Sequence, residues 1–365
     1  MPSDFLIYGA NGFLGQVIAR LAVKQGLRPT LAGRNEPAIR ALATELNLDH
    51  SIFGVDEPTK IDAALADIPV ILNCAGPFSR TAEPIADACI RTTTHYLDIT
   101  GEIPVFEALA ARDSDATSAR VMLLPGVGFD VMPTDCLALH LKRLLPSATH
   151  LTLAFNIDGP APMPPGTSVT VLEMIPAGIK VRRDGVVQPA PAEFMEQRFD
   201  FGQGPRNARR LSWGDVFTAY HTTGIPNIQT YGAFPRMLAL KMRSTDFIRA
   251  PLRRAWFRSI VQKLIPTGPT ADQRAATKTH VWGRVEDGEG RSATARLHGP
   301  EGGVTWTSHA ALVSIREALA GHAPAGYQTP GSAYGPDIVL QCPGVTREDL
   351  PGTTPAPSSQ NAKDA

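Results

Sequence analysis

The first 126 residues alternate short apolar runs with longer amphipathic stretches. The apolar runs have the length of β-strands and are bounded by glycine, proline or polar residues. They are FLIY (5–8), RPTLA (28–32), SIFGV (51–55), PVILNCA (69–75), HYLDI (95–99) and ARVMLLP (119–125). Between the first two, GFLGQVIARLAVKQG has apolar residues at helical spacing and ends at Gly26. This alternation predicts an α/β fold, a doubly wound parallel sheet with helices on both faces.

From about residue 148 the pattern changes to strands and hairpins. The predicted strands lie in LTLAFNID (151–158), KVRRDGVV (180–187) and KTHVWGRVEDGEGRSATARLHG (278–299), the last turning at Asp287 and Gly288. We therefore predict a parallel-sheet domain over residues 1–128 and a second, α+β substrate or cap domain over 129–350. Residues 351–365 have too little apolar surface to offset their ordering entropy, so we predict a disordered tail.

Three glycines follow the first strand directly, in LIYGANGFLG. Gly9 lets the chain turn, Gly12 lets a phosphate approach the backbone, and Gly15 lets the next helix pack close to the sheet. Asn11 stands where the commoner fingerprint has its second glycine, and the helix N-terminus supplies free N–H groups for a pyrophosphate. We predict a Rossmann-type dinucleotide site in which these four residues and Phe13 contact the cofactor. The alternative is a purely structural turn.

The end of the second strand indicates which dinucleotide binds. The strand ends LAGRN, where Gly33 leaves space and Arg34 offers a permanently charged guanidinium. An acid near this point favours NAD, whereas an arginine accommodates the 2′-phosphate of NADP. Glu36 lies too far into the next helix to be that acid, so we predict NADP(H). Asp56, after the third strand, is a candidate acceptor for the adenine amino group, or else a turn or capping residue.

A further cofactor contact is expected after the fourth strand, in NCAGPF. Ala75 and Gly76 remove side chains where the cofactor must pass, and Pro77 with Phe78 would fix the loop beneath the nicotinamide. The alternative is a Gly-Pro turn that only ends the strand.

Composition narrows the class of protein. Lysine plus arginine equals aspartate plus glutamate, 35 of each, so no overall field attracts nucleic acid and we expect no such partner. The 4 cysteines form no CxxC pair or zinc-like cluster, and no metal is expected. No apolar stretch approaches the ~18 residues that cross a bilayer. Without a signal-peptide pattern at the N-terminus, we expect a cytoplasmic protein that contacts a membrane only peripherally.

Several motifs occur in a specific order. They are GANGFLG, LAGRN, NCAGPF, HYLDITGE, PGVGFDVMPTD, WGDVFTAYHTTGIPN, GYQTP and PGVTR. Each is generic alone, but the ordered set resembles the saccharopine dehydrogenase-like oxidoreductases, and within them the branch that includes trans-acting enoyl reductases of lipid biosynthesis. The resemblance spans nearly the whole chain. It implies an NADP-binding N-terminal domain, a second domain packed over the nicotinamide, and hydride transfer to a substrate that it does not define.

Hydride transfer often requires a proton donor beside the nicotinamide. Asp98 lies at the end of the predicted fifth strand and Glu102 in the loop after it, at the sheet edge where such residues belong. Each is a candidate donor if burial raises its pKa, and Glu102 alternatively caps the helix that begins near Ile103. Tyr220 and His221, in WGDVFTAYHTTG, are further candidates, with a hydrogen-bonded core position as the alternative.

PGVGFDVMPTD adds residues of a different kind. Gly126 and Gly128 permit close approach of the backbone to a ligand, and Phe129 is expected to pack over the nicotinamide. Asp130 is predicted to be an N-cap rather than a catalytic group. Trp213, later in the chain, would suit an apolar wall.

Residues 236–266 carry eight basic side chains, one acidic side chain and many apolar ones. Such a basic amphipathic stretch would contact anionic lipid, an acidic acyl-carrier domain or an acyl chain. The alternative is a lid or interface helix with a solvated basic face.

These inferences predict an NADP(H)-dependent oxidoreductase that reduces a C=C (enoyl) or C=N bond of a small-molecule substrate, apolar or lipid-linked. Two alternatives stay open. One is a non-catalytic NADP-binding regulatory protein, and the other is an amino-acid dehydrogenase of the saccharopine type, which needs a cationic pocket for carboxylates.

Overall fold

The structure is a computed structural model. It describes residues 4–174, 178–190, 196–233 and 268–351. The basic stretch 236–266 and the predicted tail beyond Pro351 lie outside the described residues. Of the helices that the described residues form, none has the length and hydrophobicity to cross a bilayer.

The first third of the chain alternates strands and helices. In chain order these are β1 (Leu6–Tyr8), α1 (Phe13–Lys24), β2 (Thr30–Gly33), α2 (Glu36–Leu46), β3 (His50–Ile52), α3 (Pro58–Leu65), β4 (Val70–Asn73), α4 (Phe78–Thr92), β5 (His95–Asp98), α5 (Ile103–Ala110), α6 (Asp113–Ala119) and β6 (Met122–Leu124). Every predicted strand of this region is confirmed, with ends within three residues of the prediction.

The rest of the described chain begins with a long helix and continues mainly as strands. Its elements are α7 (Met132–Leu144), β7 (His150–Asp158), α8 (Pro165–Met174), β8 (Lys180–Arg183), β9 (Val186–Pro189), β10 (Glu196–Asp200), β11 (Pro205–Leu211), α9 (Asp215–Thr223), β12 (Asn227–Ala233), α10 (Ala271–Ala275), β13 (Lys278–Glu286), β14 (Ser292–Pro300), a π-helical turn (Gly302–Trp306), α11 (Thr307–Leu319), β15 (Gly326–Tyr327), α12 (Pro330–Tyr334), a 3-10 turn (Ile338–Gln341) and β16 (Thr346–Leu350).

The first sheet is parallel throughout, in the order β15-β6-β5-β4-β1-β2-β3. Its apolar strands are covered on both faces by helices, which explains why they read as continuous hydrophobic runs. The order reverses between β1 and β4, and ligands of such sheets bind at this switch point, beyond the carboxyl ends of the strands. The predicted doubly wound α/β fold is confirmed.

The first sheet also receives a late part of the chain. In α11, Ala311, Leu312 and Ile315 are buried in the core of the first sheet. The strand β15 then pairs with β6, with Gly326 opposite Met122. The edge strand of the first sheet therefore comes from residues about 200 positions further along the chain than β6. The boundary at residue 128 stays a prediction.

The second sheet is mixed, in the order β10-β11-β12-β7-β13-β14-β16, with β8 and β9 attached to β12. The β13–β14 hairpin turns at Asp287 and Gly288 as predicted. Helix α7 packs on one face, where Gly283 leaves room for Leu137 and Leu141. The sheet curls strongly, because the rings of Phe199 on β10 and Trp282 on β13 are 4.8 Å apart although three strands separate them.

Candidate functional site

The glycine loop after β1 packs directly against the loop after β4. Gly9 has a φ of +77°, and a Cβ atom there would lie 2.8 Å from the Cβ of Ala75. A Cβ atom on Gly15 would overlap the carbonyl oxygen of Gly9. Both positions therefore require glycine, as the fingerprint predicts. The close contact also places the start of α1 at the switch point of the sheet.

The N-terminus of α1 is available to an anion. Gly12 is its N-cap, no side chain caps it, and no acidic residue lies in its first turn. The first N–H groups of a helix, here from Phe13 onward, have no partner within the helix. The side-chain amide Nε2 of Gln16 donates to the backbone carbonyl of Asn11 (2.9 Å) and fixes the loop. These features fit a dinucleotide pyrophosphate, which both the helix dipole and the free amides favour.

Arg34 and Asp56 lie at the carboxyl ends of β2 and β3, near the Tyr8 hydroxyl. Burial raises the pKa of Tyr8, while the charge of Arg34 lowers it and that of Asp56 raises it. The guanidinium of Arg34 is exposed and forms no salt bridge with another described residue. Glu36 instead pairs with Arg40 at 2.7 Å, pointing along α2. The arrangement fits a 2′-phosphate beside Arg34 better than a ribose bound by Glu36.

The loop after β4 is held rigidly by a buried amide. Asn73 donates to Thr81 Oγ1 (3.1 Å) and to the Tyr96 hydroxyl (3.2 Å), and its oxygen accepts the N–H of Ala75 (3.0 Å). The Gly76–Pro77 peptide bond that follows is cis. Its neighbours Ala75 and Gly76 present no side chain beyond a methyl group. The loop is therefore a fixed, open surface beside the glycine loop.

The Glu102 side chain has partners that its sequence context did not reveal. Glu102 stands at the N-cap position of α5, as predicted, but its side chain does not cap that helix. Its two carboxylate oxygens accept the backbone N–H groups of Phe78 (3.0 Å) and Ser79 (3.1 Å) at the start of α4. Glu102 is buried, with 7% of its surface exposed. It therefore links the loop after β5 to the loop after β4.

Asp98 is enclosed completely at the end of β5. Its Oδ1 accepts the N–H groups of Thr100 and Gly126, both at 2.9 Å, and its Oδ2 accepts the Tyr96 hydroxyl at 2.8 Å. Burial raises the pKa of Asp98 to about 7, although these three donors favour its ionised form. Because its oxygens face protein groups, Asp98 positions the ends of β5 and β6.

The prediction that Asp130 is an N-cap is wrong. Helix α7 begins at Met132, and Val131 precedes it with φ −141° and ψ −50°. Asp130 is one residue too early to reach the first amides of the helix. Its carboxyl lies against Gly101, where a Cβ atom would be 3.1 Å from Asp130 Oδ2. It is partly exposed, and desolvation raises its pKa to about 7.

Aromatic residues of the second domain stand beside Asp130. The Phe129 ring lies 5.9 Å from Phe155, 6.4 Å from Trp213 and 5.6 Å from Trp306, measured between ring centroids. Phe129 is only 3% exposed, whereas Trp213 is partly exposed. Phe129 is thus a buried contact between the two parts of the chain. Trp213 lies beside Phe129, the neighbour of Asp130, and keeps part of its surface exposed.

Tyr220 and His221 belong to α9. They lie near the C-terminus of α9, about 10 Å along its axis from Gly214. The Arg182 guanidinium stacks 4.2 Å above the Tyr220 ring, and the exposed His221 ring lies 5.2 Å from that of Tyr327. Aromatic rings and a guanidinium surround the two side chains, and a catalytic role for either of them stays a prediction.

Segments of the second domain reach the start of α1. A Cβ atom on Gly268 would lie 2.9 Å from the Phe13 ring and 3.1 Å from Pro165. A Cβ atom on Gly303 would lie 2.8 Å from Pro164. Phe13 is therefore a contact between the glycine loop and the second domain, which covers the dinucleotide end of the sheet.

Comparisons with known proteins agree with this geometry. Residues 5–124 match the family model of the saccharopine dehydrogenase NADP binding domain. A trans-acting enoyl reductase of Mycobacterium leprae is 34% identical over 150 residues, which cover 38% of this chain and 35% of that protein. A saccharopine dehydrogenase-like oxidoreductase of Mus musculus is 26% identical over 164 residues, 39% of this chain and 38% of that protein. The chain thus matches little more than a third of the length of these curated relatives.

A solved structure shares the fold over nearly the whole chain. The apo histidine-tagged saccharopine dehydrogenase (L-Glu forming) of Saccharomyces cerevisiae superposes with a TM-score of 0.63 at 14% identity. The superposition covers 96% of this chain and 100% of that one. The predicted resemblance is confirmed over residues 5–124, which are similar to the saccharopine dehydrogenase NADP binding domain.

Proposed function

Starting from a domain that is similar to the saccharopine dehydrogenase NADP binding domain, we propose that the protein is an NADPH-dependent reductase of a C=C bond in an apolar or lipid-linked enoyl substrate. One observation carries the proposal. The Asp130 carboxyl, which forms no hydrogen bond with another described residue, stands at the carboxyl edge of the NADP-binding sheet beside Gly101. The curated relatives named trans-acting enoyl reductase support the choice of a C=C bond.

The cofactor would be held by residues of the first sheet. The first amides of α1 would bind the pyrophosphate, Arg34 the 2′-phosphate, and the loop of Ala75, Gly76 and Pro77 would support the nicotinamide half. Asp56 would accept a hydrogen bond from the adenine amino group. When bound, NADPH supplies a hydride to the substrate.

Asp130 would supply the proton. Reduction of an enoyl C=C bond adds a hydride to one carbon and a proton to the other, while NADPH becomes NADP⁺. A pKa of about 7 leaves the Asp130 carboxyl protonated in a large fraction of molecules at neutral pH. After donation it becomes a carboxylate, and its partial exposure lets water return the proton. Asp98 and Glu102 would act as positioning residues, because both are occupied by hydrogen bonds from the loops they connect.

Three arginines of the second domain already have protein partners, which favours an apolar substrate over an amino acid. Arg182 donates to the carbonyl of Val216 (2.8 Å), and Arg210 donates to Gln229 (2.7 Å). Arg296 pairs with Asp200 at 3.1 Å. These arginines are therefore engaged away from Asp130, where a saccharopine-type substrate would need cations for its carboxylates. Trp213, in contrast, offers an aromatic wall at that position.

The basic stretch 236–266 would guide the substrate or its carrier. Its eight basic side chains and apolar residues have the composition of a peripheral membrane contact or a docking segment for an acidic acyl carrier. Cosedimentation with vesicles of anionic or neutral lipid tests the membrane role, and binding only to the anionic vesicles is the expected result.

Absorbance of NADPH tests the activity directly. Purified protein is mixed with NADPH and either enoyl thioesters of increasing chain length or pairs of aldehydes and amino acids. We expect NADPH oxidation with long enoyl thioesters and its loss in Asp130→Asn. Turnover only with aldehyde and amine pairs would instead indicate reduction of a C=N bond. Tight NADPH binding by calorimetry without turnover of either class would identify a regulatory protein.

A further inference from the structure

Another buried carboxyl, that of Asp215, interacts electrostatically with Asp130. Asp215 is the first residue of α9, two positions after Trp213, and none of its surface is exposed. Its Oδ2 lies 2.9 Å from Thr134 Oγ1. Its Oδ1 is buried and has no hydrogen-bond partner among the described groups. An ionised carboxylate in this position would leave half of its charge without a donor, which is costly inside a protein.

The hydrogen-bond geometry supports a protonated Asp215. Thr134 Oγ1 lies 2.9 Å from the carbonyl oxygen of Val131 and also 2.9 Å from Asp215 Oδ2. A hydroxyl has one hydrogen, so an ionised Asp215 would compete with the carbonyl for it. A protonated Asp215 supplies a second hydrogen, and both contacts are then satisfied. This proton count is the first argument for a neutral acid.

The charges around Asp215 are the second argument. Two acids, Asp130 and Asp135, face Asp215 from the α7 side. Burial raises the pKa of Asp215, and the negative charges of these two acids raise it further. The Thr134 hydrogen bond and the residue's own backbone N–H act in the opposite direction. Asp135 is itself better compensated, because the N–H of Gly331 donates to it at 2.7 Å.

Of the other elements packed on α9, β8 carries three cations, of which Arg182 is buried, Lys180 half-buried and Arg183 exposed. Arg182 of β8 binds the carbonyl of Val216 and stacks on the Tyr220 ring, and it makes no salt bridge with Asp215 within the described chain. The nearest acid of α5, Glu107, is exposed. The other titratable side chains of these elements include Cys136 and His140 on α7, Tyr220 and His221 on α9 itself, Tyr231 on β12 and Tyr334 on α12. No described cation thus forms a salt bridge with Asp215, and its hydrogen-bond donors are the Thr134 hydroxyl and its own backbone N–H.

We propose that Asp215 is a carboxylic acid that stays protonated through the working pH range, and that its neutrality leaves Asp130 free to release and recover a proton. The role of Asp130 rests on the proposed function, whereas the protonation of Asp215 does not. A negative charge on Asp215 would oppose the ionisation of Asp130 that follows each proton transfer. A neutral acid avoids this repulsion and still hydrogen-bonds Thr134. Asp215 is therefore a positioning residue.

Infrared spectroscopy of protein with ¹³C-labelled aspartate tests the protonation without any substrate. Asp98 and Asp130 have pKa values of about 7, so at about pH 9 both are largely ionised. We expect a protonated-carboxyl C=O band to persist at that pH in the wild type and in Asp130→Asn, and to be absent in Asp215→Asn. Absence of the band from the wild type would overturn the proposal, even if Asp215→Asn does not fold.

The pH profile tests the consequence for Asp130. An amide at position 215 is neutral and still donates to Thr134. In Asp215→Asn, the limb of the kcat/KM pH profile that depends on Asp130 should therefore keep its apparent pKa, even if kcat itself changes. If Asp215 is ionised in the wild type, removal of its charge should move that limb down by about one pKa unit or more. Calorimetry with NADPH on each variant distinguishes failure of the proposed reductase function from failure of the proposal for Asp215. Binding without turnover refutes the reductase, whereas a shifted limb refutes the neutral acid.

Discussion

Replacement of Arg34 by alanine should separate the two pyridine nucleotides. Arg34 is exposed at the carboxyl end of β2 and has no salt bridge among the described residues, so its removal leaves no buried partner uncompensated. The substitution removes a side chain after the strand and before Asn35, whose own side chain accepts from the N–H of Ala38 to cap α2. The fold should therefore be unaffected. The substitution should weaken only the binding of the 2′-phosphate.

The size of the effect follows from exposure. A hydrogen bond to a charged group contributes about 1.5–3 kcal/mol, and solvent places an exposed pair toward the lower end. A loss of about 2 kcal/mol corresponds to a roughly 30-fold weaker Kd for NADP(H). NAD(H) lacks the 2′-phosphate, so its affinity should change by less than about twofold. High salt should narrow the difference, because the Debye length falls from about 10 Å at 0.1 M to about 3 Å at 1 M.

Isothermal calorimetry of both nucleotides, with wild type, Arg34→Ala and Arg40→Ala, measures these differences. Arg40 is the matched control, since it is an exposed arginine of α2 that pairs with Glu36. We expect Arg40→Ala to bind both nucleotides like the wild type. Equal losses of NADP(H) and NAD(H) affinity in Arg34→Ala would refute the assignment of the 2′-phosphate to this guanidinium.

Four further outcomes are expected. Gly9→Ala should lower the free energy of unfolding by about 2–5 kcal/mol in urea titrations, because both its φ of +77° and the close neighbouring loop oppose a methyl group. Gly26→Ala, with φ +82° and nothing within 4 Å, should cost only about 1–2 kcal/mol, and an equal cost would contradict this reading. Glu102→Gln should lower kcat/KM by roughly tenfold, because the charge-assisted hydrogen bonds to the start of α4 are lost. The pH profile of kcat/KM should keep its shape, and loss of one limb of that profile would instead identify Glu102 as the proton donor. His221→Ala should change kcat by less than about twofold, and a larger loss would place the ring in catalysis. Asp98 binds its proton more tightly in the folded chain, so the stability it contributes is complete below its unfolded pKa and is lost as pH rises through about 7; Asp98→Asn should flatten that decline in denaturation curves recorded from about pH 4 to 8.

The parallel strands were predictable because their burial on both faces produces continuous apolar runs. The helix stripe of α1 and the alternation of β7 were equally visible. The strands β10 and β11 were not, because their exposed positions read as EQRFD and PRNARRL, in which polar residues dominate. Their place depends on the curl of the second sheet, which brings Phe199 to Trp282. Such a long-range contact leaves no local periodicity in the sequence.

In the candidate site, too, some features were predictable from the sequence and others were not. The glycine loop was predictable because its requirements act between neighbouring residues. The partners of Glu102 were not, since they lie 24 and 23 positions away, across two parallel strands. Asp130 was misjudged because α7 starts one residue later than a capping aspartate requires. Asp215 escaped notice because its burial results from the packing of α7 against α9, which composition does not report.

The late return of α11 and β15 to the first sheet affects how the protein must be synthesised. Translation delivers β1 to β6 early, but the edge strand that pairs with β6 is only two residues long and leaves the ribosome some 200 residues afterwards. Until then the apolar surface that α11 covers is open to chaperones or to neighbouring chains. Nascent protein stalled before residue 307 should therefore bind NADP poorly and aggregate, although every glycine of the nucleotide loop has already been made.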